Sequence, residues 1–156
     1  MTFLAAASRA YRPATPIKAG LLMGLLFLAA EIGFPSFCFA ADLKVSLSGA
    51  DSRGEIRAAL FKNQKGFDTD SPVEQKSVPS ASSLEITFTG LAPGRYGVAA
   101  YQDLNQNKKL DTNFFGLPTE PYGFSQNAQG KMGPPSFEDF SIEVPESGAQ
   151  TQIEID

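Results

Sequence analysis

Histidine and tryptophan are absent from this chain, and cysteine occurs once in 156 residues. Without histidine there is no Ser-His-Asp triad and no histidine-ligated zinc. A lone thiol makes neither an internal disulfide nor a thiolate metal site. Positive charge is also scarce, with 13 Lys and Arg against 17 Asp and Glu, a formal net charge of −4. An acidic surface repels phosphate backbones, so nucleic acid is not an expected partner, and anionic membranes are disfavoured on the same ground. No glycine-rich loop of the phosphate-cradling kind is present in the sequence.

Long apolar runs are lacking too, with one exception. Residues 19–30 read A-G-L-L-M-G-L-L-F-L-A-A. As a helix this run reaches about 18 Å at ~1.5 Å per residue, short of the ~30 Å hydrocarbon core. Arg9, Arg12 and Lys18 precede it, and Cys38-Phe39-Ala40 follows with small residues at the first and third positions. Residues 1–40 are therefore read as a signal peptide cut after Ala40, with a retained N-terminal anchor as the alternative. The positive leader is long, which leaves the assigned start site open. Phe37 directly before Cys38 is unlike a lipidation site. The expected location is the periplasm or the outside of the cell. Three basic residues and one acidic residue leave with the peptide, so residues 41–156 hold 10 basic and 16 acidic residues, a net charge of −6, and no cysteine.

What remains alternates with period two. Leu43, Val45 and Leu47 alternate with polar neighbours, as do Leu84, Ile86 and Phe88. The same spacing holds for Ile56, Ala58 and Leu60, for Tyr96, Val98 and Ala100, for Phe140, Ile142 and Val144, and for Thr151, Ile153 and Ile155. A weaker strand lies near Val73 to Val78, and no segment has a convincing helical period. Turn residues such as Leu91-Ala92-Pro93-Gly94 separate the runs. The pattern predicts an all-β protein: a Greek-key-type β-sandwich of about seven antiparallel strands, in one domain over residues 41–156.

Residues 103–137 stand outside this pattern as one long loop. Loops beyond ~12–15 residues are usually functional or disordered. This one carries Leu110, Phe114, Phe115, Leu117, Tyr122, Phe124, Met132 and Phe137. So much apolar surface predicts an ordered excursion with Phe114, Phe115 and Tyr122 filling core, a ligand platform being the alternative. The excursion opens D-L-N-Q-N-K-K-L-D, placing oxygen side chains at Asp103, Asn105, Asn107 and Asp111. With the carbonyl of Lys109 these are positions 1, 3, 5, 7 and 9 of a loop that could curl around a hard cation such as Ca²⁺. The likeness to an EF-hand is partial: Lys108 stands where glycine is usual, and Phe114 where a bidentate Glu is usual. Glu138 and Asp139 could complete the shell by residue type. The competing reading is a metal-free polar turn, since Asp and Asn cap their own backbone. Glu138-Asp139 and Asp68-Thr69-Asp70 are carboxylate pairs, read as surface acids rather than as a hydrolase site.

The stretch G-L-A-P-G-R-Y-G-V-A-A-Y-Q-D-L-N-Q-N-K-K-L-D-T-N-F-F-G-L-P, followed by E-P-Y-G-F-S and G-P-P-S-F-E-D, resembles the bacterial family called domain of unknown function 2141. The resemblance runs from about Leu43 to Ile155. It implies a small exported protein with a predicted sandwich and no established activity, and it extends weakly to transthyretin-like and carboxypeptidase-regulatory-like sandwiches. The family's acidic loop falls on Asp103, Asn105, Asn107 and Asp111. Its aromatic and proline motifs fall on Tyr122-Gly123-Phe124-Ser125 and Pro134-Pro135-Ser136-Phe137. Family members commonly have Gly where this chain has Lys108. The expectation is a non-enzymatic binding or structural module at the cell envelope, whose partner is an unknown protein or glycan and whose loop is ordered by Ca²⁺. A metal-free structural domain and a carbohydrate-binding module are the alternatives, and the missing tryptophan argues against the last.

Overall fold

The computed structural model describes residues 40–156. Of the expected signal peptide, residues 1–39, with Cys38, lie outside the described residues. Successive side chains of a strand point to opposite faces, so a period-two sequence buries one face and wets the other. β1 (Ala41–Ser48) follows this strictly, burying Ala41, Leu43, Val45 and Leu47 and exposing the residues between. The other strands are β2 (Glu55–Phe61), β3 (Glu74–Pro79), β4 (Ser83–Leu91), β5 (Gly94–Asp103), β6 (Tyr122–Phe124), β7 (Ser141–Val144) and β8 (Ala149–Glu154).

These strands form the expected all-β sandwich. One sheet has the order β4-β1-β8; the other runs β3-β2-β5, and β6 and β7 share the far edge of β5. The chain changes sheet between β1 and β2, β3 and β4, β4 and β5, and β7 and β8, which is wiring of the Greek-key kind. Two details differ from the sequence reading. There are eight strands rather than about seven, and β1 pairs with β8 in parallel rather than antiparallel. Leu43, Val45, Ile56, Leu60, Phe88, Val98 and Ile153 fill the space between the sheets with no exposed surface. Each such side chain contributes roughly 1.5–3 kcal/mol relative to exposure.

The eighth strand corrects the reading of residues 103–137. That segment is not one loop: Tyr122, Gly123 and Phe124 pair with Tyr101, Ala100 and Ala99. β6 and β7 cover adjacent stretches of β5, and Val98 falls at their junction. Its amide donates to Ser125 Oγ (3.0 Å), and that hydroxyl also reaches the Phe140 carbonyl (2.5 Å). The buried serine thus replaces a ladder bond at the seam, as a buried backbone group requires.

Two one-turn helices, α1 (Gln64–Asp68) and α2 (Phe137–Phe140), were not legible as periodicity. They close one end of the five-stranded sheet's outer face. Phe67 packs edge-on against Phe61, Phe124 and Phe140, with ring centroids 5.3, 5.8 and 4.9 Å away. Gly97 permits this plug, because a Cβ there would overlap the Phe140 ring. The Phe137 amide donates to Gln64 Oε1 (2.7 Å) and ties the two helices together.

A second correction concerns the apolar residues of the excursion. Phe124 is buried, yet Phe114 and Phe115 are 97% and 83% exposed, and Leu117 and Met132 are also exposed. The tip that Phe114, Phe115 and Leu117 occupy is closed by its own polar bonds: Asn113 Oδ1 accepts from the amides of Phe115 (2.9 Å) and Leu117 (3.1 Å). The alternating strand residues already fill the interior, so the tip has no core to enter.

Candidate functional site

Asp103 ends β5 and begins the excursion. Gly54 of the neighbouring connection packs so closely beneath it that a Cβ would overlap the Asp103 carbonyl. Its other strand neighbour, Gln102, is buried beside a second polar knot. Gln102 Nε2 donates to Asp51 Oδ1 (2.7 Å), the Arg53 carbonyl (2.7 Å) and Ser80 Oγ (3.1 Å). Asp51 also accepts from the Arg53 side chain and amide and from Gln102, which together hold its carboxyl down at about 2. The strand end that launches the excursion is therefore fixed on both faces.

Asp103 has no exposed surface, and its two oxygens accept from the backbone amides of Asn107 (3.1 Å) and Lys108 (2.7 Å). Asn105 Oδ1 accepts from the Asn107 amide (3.0 Å), and Asn107 Oδ1 from the Lys109 amide (2.8 Å). The amide nitrogens of Asn105 and Asn107 then face Asp111, at 2.6 Å and at 2.9 and 3.1 Å. The structure thus gathers Asn105, Asn107 and Asp111, and turns Asp103 to the backbone. Lys109 contributes its amide. Glu138 and Asp139 stand apart on α2, where Asp139 Oδ2 accepts from the Ser136 hydroxyl (2.5 Å) and amide (3.1 Å), bonds that hold its carboxyl below the usual range.

The carboxylate that the fold does bring to this loop is Glu120, which the sequence reading missed. It is 6% exposed. Oε1 accepts from the Leu104 amide (2.9 Å) and Oε2 from the Asp111 amide (3.0 Å), so one side chain clamps both ends of the polar turn. Its sequence signal was its place at the head of E-P-Y-G-F-S, just before β6.

By donor type, Asp103, Asn105, Asn107 and Asp111 suit a hard cation. By geometry, they form a turn that closes on itself. Among the described residues, no three acidic, histidine or cysteine side chains gather as a metal-holding group. A cation at Asp111 would need amide oxygens where the two asparagines now present nitrogen. Two non-glycine residues in the turn, Gln106 and Lys108, have φ of +61° and +68°. The left-handed region costs a side-chain-bearing residue about 1–2 kcal/mol.

The excursion folds back over the outer face of the five-stranded sheet and walls a cavity of about 700 Å³. Cross-strand register puts Ala59 opposite Ala99 on that face, between Arg57 opposite Tyr101 at one end and Phe61 opposite Gly97 at the other. The two alanines make the floor low. Tyr101, Tyr122 and Phe124 rise beside it, and Lys108, Leu110 and Leu117 overhang from the excursion. Burial pushes the Tyr101 phenol above its ordinary value, while the bond that Arg57 donates to the Glu55 carboxylate (2.5 Å) holds the guanidinium charged. A mostly apolar cleft of this size with a few polar groups is the usual form of a small-molecule site.

A family model described as an uncharacterized protein conserved in bacteria, DUF2141, matches residues 45–154. The chain belongs to this family. The match spans every strand from within β1 to the end of β8, so the excursion and its groove lie inside the family's domain. No curated protein and no solved structure matches the chain.

The clamp and the strained turn give opposite expectations for two substitutions, both read by urea denaturation. Glu120→Ala strands two backbone amides and is expected to lower stability by about 2–3 kcal/mol. Lys108→Gly relieves a left-handed residue and is expected to raise it by about 1 kcal/mol. An unchanged midpoint for both would contradict the account of the loop.

Proposed function

We propose that the protein is an exported, non-enzymatic binding module, and that its binding site is the groove between the excursion and the five-stranded sheet. The single observation that carries this is the alanine floor with its aromatic walls. A sheet face meant only for solvent has no need of an overhanging wall, and one meant only for stability would be filled. Here the plug of α1 and α2 fills one end and stops at Phe61 and Phe124. The polar turn serves as the hinge pin that holds the covering at a fixed height above the floor.

Ala99→Trp would fill the groove from its floor. Thermal melting of wild type and this variant is to be compared against acyl and aryl amphiphiles and neutral sugars. At least one compound is expected to raise the wild-type melting temperature by several degrees and leave the variant unmoved, because ligand that binds only the native state stabilises it by mass action. If no compound separates the two proteins, the groove is not a binding site.

Export is the reading that the apolar run at residues 19–30 and the small-residue site before Ala41 support. β1 starts at Ala41, so a cut after Ala40 leaves every strand intact. Mass spectrometry of the mature chain from a Gram-negative host is expected to find Ala41 at the N-terminus; a chain still carrying residues 1–40 refutes cleavage.

A second reading, in which Ca²⁺ orders the loop, draws on one observation. Asn105 and Asn107 both sit within hydrogen-bond reach of the Asp111 carboxylate, so three oxygen-bearing side chains already share one locus. On this reading Asp103, Asn105, Asn107 and Asp111, with the Lys109 carbonyl, hold the ion, and it takes the place beside the Asp111 carboxylate that the asparagine N–H groups now fill. Melting in calcium is then expected to exceed melting in chelator, with the difference lost in Asp111→Ala. Superimposable curves for the wild type sink it.

A further inference from the structure

We infer that the groove takes a small amphipathic anion: an apolar acyl or aryl body on the alanine floor, with a carboxylate head at Arg57, Lys108 and Lys109. The inference rests on the groove being the binding site and goes beyond it in naming the ligand's chemistry. Its support is a segregation of charge. Residues 41–156 hold 10 basic and 16 acidic residues. The groove is lined by four of those basic residues, Arg57, Lys76, Lys108 and Lys109, and by a single acid, Asp70. Lys76 is not available to a ligand. Its Nζ donates to the Thr87 carbonyl (2.6 Å) and sits over the Phe88 ring, at the rim of the other face. The remaining three converge on one end of the groove. Arg57 stands on the sheet opposite Tyr101, and Lys108 and Lys109 overhang from the turn that begins at Asp103.

The acids near this end are already engaged. Glu55 bonds to Arg57, Asp111 accepts from the side-chain amides of Asn105 and Asn107, and Asp103 and Glu120 accept from backbone amides. Lys108 and Lys109 form no ion pair among the described residues. The chain also places Lys108 at a position with φ of +68°, held there by the bond from its amide to Asp103. A partly enclosed cleft whose lining carries an excess of one sign of charge concentrates the opposite charge. The other end of the groove offers Phe61, Phe67 and Phe124, and among the described residues no cation sits over these rings, which suits the apolar body.

Isothermal titration of the purified protein with three probes tests this: decanoate, decanamide and decyltrimethylammonium, all below their micellar range. Decanoate is expected to bind at least about tenfold more tightly than decanamide, and the cation not at all, a discrimination of the size that close charge pairs supply. The exposed double substitution Lys108→Gln with Lys109→Gln is expected to cost decanoate about tenfold and leave decanamide unchanged, and added salt to weaken decanoate alone. Equal affinity for all three probes, lost in Ala99→Trp, overturns the anion while leaving the groove a binding site. No binding of any probe overturns both.

Discussion

The excursion exists as a shaped object because two buried carboxylates hold its root. Asp103 accepts from two amides inside the turn, and Glu120 accepts from one amide at each end of it. Bonds of this kind, from backbone N–H to an ionised oxygen, are about twice as strong as neutral ones. They also answer a problem the fold sets for itself. Leaving β5 with a nine-residue polar turn exposes a series of backbone donors that no sheet neighbour can satisfy. The side chains do it instead, and the chain then returns antiparallel beside its own exit, with the Gln102 amide donating to the Pro121 carbonyl (2.8 Å).

From that root the geometry of the groove follows. The return strand β6 is three residues long and lies on the edge of β5, so Tyr122 and Phe124 stand on the same face as Tyr101 and Ala99. Gly123 between them faces inward, where a Cβ would meet Ile153 and the Glu154 carbonyl of the other sheet. A side chain at this position would push β6 off the edge. The outer face is thereby divided. Aromatic rings close one end, the polar turn bounds the other, and the two alanines between are left uncovered. Small residues on the floor set the depth, and the clamped turn sets the height.

The strands and their faces were legible because alternation is a local property. Leu43, Val45 and Leu47 announce a half-buried strand without reference to anything else in the chain, and the structure buries all three. β6 was not legible, since three residues with glycine in the middle hold too little of a period. Glu120 was hidden for a different reason. It lies nine residues beyond Asp111, and only the pairing of β6 with β5 brings it back to the turn. Phe114 and Phe115 misled in the opposite direction: apolar type argues for burial only where a surface is free to receive it, and a tip closed by Asn113 reaches none. In the polar turn Asn105, Asn107 and Asp111 do come together, while the partners of Asp103 and Glu120 were set by backbone amides that sequence does not display.

Lys108 draws these threads together. A turn of this shape needs a left-handed residue, and glycine would fill the position at less cost. The strain is small, of the order of 1 kcal/mol, and a domain with so regular a core can carry it. Strained positions persist where the surrounding structure over-determines them, and they cluster where a side chain has work to do. The Asp103 carboxylate supplies the over-determination by holding the Lys108 amide. What the side chain gains is a place at the mouth of the groove, a few residues from a buried acid whose oxygens face backbone amides and which forms no ion pair with it. Glycine would relax the turn and remove that charge. Under the proposed anion site, stability and ligand affinity would trade against each other at this single residue, which the Asp103 carboxylate that shapes the loop holds in place.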